Sequence, residues 1–249
     1  MAKSDKQRLD QLLVERGLAE SRTRAQALVL AGKVVVDDHR VDKPATRVRP
    51  DAAVRLKGPD HPYVSRGGVK LAGALDDFGL EVRGLRALDA GASTGGFTDC
   101  LLQRGAARVY ALDVGRGQLN ERLRQDDRVQ VFDGINARAI PPGLLPERVD
   151  LAVMDLSFIS LKLVLGSVSG QVRPGGRLLA LVKPQFEAGR DQVGKGGIVR
   201  DPAVRDQTVD TVAAHAASIG LTESGRTPSR LPGADGNQEH FLLLGKSRA

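Results

Sequence analysis

Apolar residues recur at helical spacing near the start of the chain and at strand length further on. Leu9, Leu12 and Leu13 share one face of a short helix that begins at Arg8 and that Gly17 ends. Ser21 is a good N-cap for a second helix, with Ala25, Leu28 and Val29 on one face and Arg22 and Arg24 on the other, ending at Gly32. Residues 33–37, Lys-Val-Val-Val-Asp, then read as a strand, Asp38-His39 as a polar turn, and residues 52–57 as another strand. Two prolines and a glycine fall within residues 57–62, which predicts a boundary between a small α+β domain, 1–60, and a larger domain, 61–249.

In the larger domain Val69, Leu71, Ala72, Leu75 and Phe78 give a helical pattern, and strand and helix signals then alternate. Apolar runs of strand length lie at 85–89, 108–113, 129–132, 149–154, 177–182 and 239–244; helical segments near 96–104, 116–124, 160–171 and 202–219 separate several of them. Runs apolar on both faces, interleaved with helices, predict an α/β fold: a doubly wound, mainly parallel sheet covered by helices on both sides.

Composition narrows the partners. The net charge is +7, and residues 1–60 hold 13 Lys and Arg against nine Asp and Glu, so the first quarter of the chain contributes +4 of it. That balance suits a polyanion, because each neutralised phosphate releases counterions. Aromatic residues make up 3%, with no Trp, so shape and phosphate contacts are better supplied than stacking on many unpaired bases. A charged N-terminus without an apolar run and the lack of any long apolar window predict a cytoplasmic protein with no membrane association. The single cysteine, Cys100, excludes an intrachain disulfide and a Cys-cluster zinc site, and no metal is expected.

The strongest local motif is Leu88-Asp89-Ala90-Gly91-Ala92-Ser93-Thr94-Gly95-Gly96-Phe97-Thr98, a strand running into a glycine-rich turn and a helix. Such a turn lets a ligand approach the backbone, and the helix N-terminus offers bare N–H groups. No Gly-Lys-Ser/Thr follows, so it is not a P-loop, and Ser93 stands where a dinucleotide fingerprint has its second glycine. The strand-end Asp89 instead matches methyltransferase loops, which bind S-adenosylmethionine. Asp113 closes the next strand, placed to accept from ribose hydroxyls, and Asp133 closes the third, near an adenine amino group. A tight turn without ligand and three solvated strand ends are the plainer alternatives.

Two further polar residues close strands: Asp155, and Lys183 after five apolar residues. Ligands of open α/β sheets sit at the carboxyl ends of strands, so both would lie beside the cofactor. A lysine there can act as a base for a poor hydroxyl nucleophile, held by carboxylates, or it can simply snorkel to solvent.

The chain resembles the TlyA family of ribosomal RNA ribose 2′-O-methyltransferases, some of whose members carry the name hemolysin. The resemblance runs through Arg8-Leu-Asp, Ser21-Arg22, Gly32-Lys33-Val34, Val64-Ser65-Arg66-Gly67-Gly68-Val69-Lys70-Leu71, Asp89 to Thr98, Asp155-Leu-Ser-Phe-Ile-Ser160, Val182-Lys-Pro-Gln-Phe-Glu187, Gln192-Val-Gly194 and Gly236-Asn-Gln-Glu239. It implies an N-terminal RNA-binding domain of the S-four ribosomal-protein type, with Arg8, Arg22, Arg24 and Lys33 as RNA-binding candidates. It also implies an FtsJ-like methyltransferase domain with a seven-stranded sheet, whose cofactor would meet Asp89, Gly91, Ala92, Ser93, Thr94, Gly95, Gly96, Asp113, Asp133 and Asp155. A Lys-Asp-Lys-Glu tetrad maps onto Lys70, Asp155, Lys183 and Glu239, with Lys183 as base or hydroxyl-orienting group. The implied substrate is cytidine in ribosomal RNA. The chain ends at Ala249, soon after its final strand, without the C-terminal extension of some relatives, which leaves one or both ribosomal subunits open as substrate. An inactive ribosome-binding protein and a membrane-active hemolysin are the alternatives.

Overall fold

The computed structural model describes residues 6–56, 61–233 and 235–248, apart from the side chain of Arg190. Four of the residues expected at the domain boundary, 57–60, lie outside them. The chain divides into two compact units, Met1–Pro62 and Tyr63–Ala249.

The first unit contains strand β1 (Gln7–Arg8), helices α1 (Leu9–Glu15) and α2 (Arg22–Leu30), and strands β2 (Val34–Val36), β3 (His39–Val41), β4 (Arg47–Val48) and β5 (Val54–Leu56). Ser21 caps α2 by accepting from Arg24 N. β2 lies between β3 and β5, and β1 pairs with β4. Three of these strands, β1, β3 and β4, are absent from the sequence reading: each has two or three residues, too few to show a period. The turn expected at Asp38-His39 falls one residue earlier. Asp37 and Asp38 both take positive φ, 47° and 63°, the pair a two-residue hairpin turn requires, and His39 already belongs to β3.

Within this unit Leu9, Leu13, Ala25, Val29 and Val34 form the core. Asp10 is fully buried beside it and accepts from Arg8, Arg22 and Gln26. A single carboxylate thus ties the start of α1 to α2. The Arg8 guanidinium, ahead of the bonds from Gln26 and Arg22, holds this carboxyl well below its usual range.

The second unit opens with α3 (Arg66–Asp77) and continues through β6 (Arg86–Ala90), α4 (Gly96–Gln103), β7 (Arg108–Asp113), α5 (Glu121–Arg124), β8 (Val129–Asp133) and β9 (Val149–Met154). A short 3-10 turn (Leu161–Leu163) precedes α6 (Leu165–Gln171), β10 (Val172–Val182), α7 (Pro184–Glu187), α8 (Pro202–Ser218), β11 (Leu221–Pro228) and β12 (His240–Lys246). The strands form one sheet in the order β11-β12-β10-β9-β6-β7-β8. β8, β7, β6, β9 and β10 are parallel, and β12 runs antiparallel between β10 and β11. Two apolar clusters cover its faces, one around Leu88, Met154 and Leu178, the other around Leu71, Leu101 and Leu179. Successive residues of one strand feed opposite clusters, which is why the parallel strands read as unbroken apolar runs.

The sequence reading misses β11: it is an edge strand with one buried residue and mostly exposed polar ones. Helix 116–124 shrinks to Glu121–Arg124, because Gly117 takes φ 65° and turns the preceding chain out of the helix.

Asp10→Ala should lower the thermal stability of the first unit by roughly 1–3 kcal/mol, the cost of stripping a buried network of its acceptor. Because the folded carboxyl lies below its usual pKa of 3.8, the stability it adds is present above that pH and is lost as the pH falls through the folded value. Thermal unfolding of the variant should therefore respond less to acid than the wild type; an equal acid response would assign the role to another group.

Candidate active site

The site is built at the carboxyl ends of the parallel strands of the second unit. β6 ends at Ala90, and the chain turns through Gly91 at φ 90°, Ser93 at φ 47° and Gly95 at φ 97° before α4 begins. A Cβ on Gly91 would stand 2.7 Å from the Asp155 carbonyl oxygen, so the end of β9 packs directly on this turn. A Cβ on Gly96 would meet Gly68 N at 2.9 Å; this glycine serves the close packing of α4 on α3.

Asp89 is completely buried under the turn. Its Oδ2 accepts from Thr98 Oγ1 at 2.7 Å, while Oδ1 has no hydrogen-bond partner among the described residues. Burial pushes its carboxyl up to about 7, with the Asp155 and Asp113 carboxylates adding to the rise. Asp113 accepts from Ser93 N at 2.8 Å and from Gly115 N at 2.7 Å, which ties the end of β7 to the glycine turn. Asp133 accepts from Gly117 N and Arg124, each at 3.1 Å, and the Gly117 N–H holds its carboxyl below the usual range. It does not line the adjoining cleft, whose wall at that level is Ile135, Asn136 and Ala137.

That cleft has a volume of about 1160 Å³ and runs from Gly91 and Asp113 past Asp155 to Phe158 and Phe186. A smaller hollow of about 180 Å³ adjoins it at Ser93, Asp155 and Ser157, with Ala92, Thr94, Gly96 and Lys183 on its own walls. Together they give room for a nucleoside-sized ligand and a second group beside it.

The four residues of the expected tetrad form two ion pairs. Lys183 Nζ lies 2.8 Å from Asp155 Oδ1 and donates to Ser157 Oγ at 2.8 Å. Lys70 Nζ, on α3, donates to Glu239 Oε2 at 2.6 Å, and both side chains are nearly inaccessible to solvent. The β10–β12 register pairs Val182 with His240, so the next step of the ladder sets Lys183 beside Glu239.

Sequence reasoning passed over three residues here. Ser157 shares the Lys183 ammonium, Phe158 stands 91% exposed at the cleft with φ 63°, and Glu187 accepts from Ser160 and Leu161. Phe158 carries a signal that could have been read, a bulky apolar residue in the loop just after the polar strand-end Asp155.

In the first unit the RNA-binding candidates divide. Arg8 and Arg22 are engaged with Asp10, though their side chains stay 36% and 52% exposed, while Arg24 and Lys33 are exposed.

Residues 63–246 match the FtsJ-like methyltransferase family, and residues 7–54 match the S4 domain. The chain is 50% identical over 238 residues to the 16S/23S rRNA (cytidine-2′-O)-methyltransferase TlyA of Mycobacterium tuberculosis, covering 95% of this chain and 89% of that protein. This chain belongs to the TlyA family of FtsJ-like methyltransferases. Another relative, Hemolysin A of Brachyspira hyodysenteriae, is 39% identical over 95% of this chain and its own entire length. A solved structure of a hemolysin-named protein from Streptococcus thermophilus shares 43% identity at a TM-score of 0.76, covering 98% of this chain and 90% of that one. As a TlyA-family enzyme the chain has its glycine turn, Asp155 and Lys183 at the strand ends where α/β enzymes hold their ligands.

The raised Asp89 carboxyl makes stability depend on pH in the opposite sense to Asp10. Its folded pKa of about 7 exceeds the ordinary 3.8, so stability is greatest below the ordinary value and declines as the pH rises through the folded one. The full span is about 4 kcal/mol at 1.36 kcal/mol per unit. Asp89→Asn should flatten the fall in melting temperature of the ligand-free protein between about pH 5 and about pH 8, conditions that bracket the folded value. An unchanged slope would show that Asp89 ionises freely.

Proposed function

We propose that this chain transfers the methyl group of S-adenosylmethionine to a cytidine ribose 2′-hydroxyl in ribosomal RNA, working on ribosomal subunits in the cytoplasm. The observation that carries the reading is the Lys183 ammonium, held by Asp155 and Ser157 beside the glycine turn. The donor is inferred from the family and from the fit of the site. Gly91, Ser93 and Asp113 line the cleft and Ala92 and Thr94 the adjoining hollow, while Asp89, with Oδ1 lacking a donor among the described residues, lies buried beneath them.

S-adenosylmethionine supplies an electrophilic methyl on a sulfonium. The chain's own residues must hold the hydroxyl in line with it and remove the proton as the new O–C bond forms and the C–S bond breaks. On this reading Lys183 Nζ, as the neutral amine, meets the 2′-oxygen and takes that proton, becoming the ammonium that Asp155 and Ser157 hold, and the Lys70–Glu239 pair sets the charge beside it. Phe158, exposed at the mouth, offers a face on which the target base can stack. The RNA is inferred from the S4 domain and the relatives' substrates; Arg24 and Lys33 would meet phosphates, with the exposed parts of Arg8 and Arg22 adding to the same field. We likewise assign 1–60 to RNA binding and 61–249 to catalysis. Among the described residues no helix is long and apolar enough to cross a membrane.

The test is transfer of labelled methyl from S-adenosylmethionine to isolated small and large ribosomal subunits that lack the modification, assayed side by side. Label in either RNA is expected, at a ribose of cytidine; label in neither would overturn the reading. Lys183→Ala should abolish transfer while S-adenosylmethionine still binds in calorimetry, and full activity would remove Lys183 from its role. Phe158→Ala should raise the KM for the subunit, by about 1–3 kcal/mol of lost stacking, and leave cofactor affinity unchanged.

A further inference from the structure

The loop that follows β9 and the segment that follows β10 are fastened to each other at two points. At the first, Lys183 meets Asp155 and Ser157. At the second, the Glu187 carboxylate accepts from Ser160 Oγ at 2.6 Å through Oε2 and from Leu161 N at 2.7 Å through Oε1. Ser160 also caps the 3-10 turn by accepting from Lys162 N, so Glu187 grips the start of that turn by both its side-chain and main-chain donors. Between Ser157 and Ser160 lie two residues, Phe158 and Ile159, with Phe158 in the left-handed region and its ring 5.2 Å from that of Phe186. A phenylalanine keeps such a backbone only when its surroundings over-determine it.

Glu187 is poorly placed for any purpose other than these two bonds. It ends the one-turn helix α7, is partly buried, and does not line either cavity. Burial raises its carboxyl above the usual range, with the bonds from Ser160 and Leu161 acting the other way. A carboxylate under that burden is held by what it binds.

We propose that Glu187 is a positioning residue of the methyl-transfer reaction: by clamping Ser160 and Leu161 it fixes the Asp155–Phe158 loop against the Lys183 segment, so that base and target nucleotide keep their alignment. This rests on the role given above to Lys183. The clamp sits beyond the catalytic pair, on the side away from the glycine turn in the chain, so loosening it should disturb alignment and leave the cofactor's own contacts in place.

The full-length chain is assayed on the ribosomal subunit that wild type labels, with three variants, Glu187→Ala, Glu187→Gln and Ser160→Ala. Glu187→Ala should lower kcat on the order of 10- to 100-fold, the scale of a small misplacement at a reacting centre, with S-adenosylmethionine affinity in calorimetry within about threefold of wild type. Glu187→Gln keeps an oxygen for Leu161 N and a group for the Ser160 hydroxyl, and should recover most of the rate, which a need for charge alone would not allow. Ser160→Ala removes one of the two bonds with little risk to folding, should fall between, and decides the matter if Glu187→Ala does not fold. Wild-type kcat in Glu187→Ala, a glutamine variant as slow as alanine, a loss confined to cofactor affinity, or, where Glu187→Ala does not fold, wild-type kcat in Ser160→Ala would each overturn the proposal. Undiminished activity in Lys183→Ala would instead overturn the reading beneath it.

Discussion

The register of three neighbouring strands governs the chemistry of the second unit. β9 pairs with β10 in parallel, Met154 opposite Ala180, and β10 pairs with β12 antiparallel, Val182 opposite His240. The residue after Met154 is Asp155, the one after Val182 is Lys183, and the one before His240 is Glu239, so the ladder itself delivers two carboxylates and a lysine to one edge. α3 then brings Lys70 against Glu239. A slip of one residue would reverse the faces of every side chain in the slipped strand, sending Leu178, Ala180 and Val182 to the wrong apolar cluster, so the core that forbids the slip also fixes the site.

Charge balance explains why four ionised groups tolerate this place. Two lysines and two carboxylates sum to zero, and each lysine has its carboxylate within 2.8 Å. Removing one partner of the more deeply buried pair would strand the other at a cost on the order of 3–5 kcal/mol, far more than an exposed surface pair is worth. Asp89 carries one oxygen without a hydrogen-bond partner among the described residues, and its complete burial raises its carboxyl, with the Asp155 and Asp113 carboxylates adding to the rise.

The parts of the fold legible in the sequence were those whose cause is local. Parallel strands buried on both faces announce themselves as apolar runs, and the left-handed turns of the glycine loop need residues that the sequence displays. β11 stayed hidden because an edge strand with one buried residue has no period to read. Asp155 and Lys183 stood out as polar residues ending apolar runs. Lys70 and Glu239 had no such mark: they are 169 residues apart, and only the closing of β12 against β10 makes them partners. Family resemblance supplied them, and nothing in the local pattern could have. Glu187 escaped for the same reason, its two bonds reaching back 26 and 27 residues to a loop of another strand.

The distribution of aromatic and basic residues suits a division of labour in RNA recognition. Phe158 is the one aromatic among the described large apolar residues that stand exposed, and it stands at the catalytic cleft. The first unit offers arginines and lysines and no Phe, Tyr or Trp, which fits contact with phosphates and with the shape of folded RNA. Asp10 sharpens that character, because it neutralises part of Arg8 and Arg22 while fixing where their remaining donors point. A unit of this kind gives affinity that is tolerant of sequence and weakened by salt. On the proposed function, choice of nucleotide falls to the cleft, where a base stacked on Phe158 would bring its ribose toward Lys183.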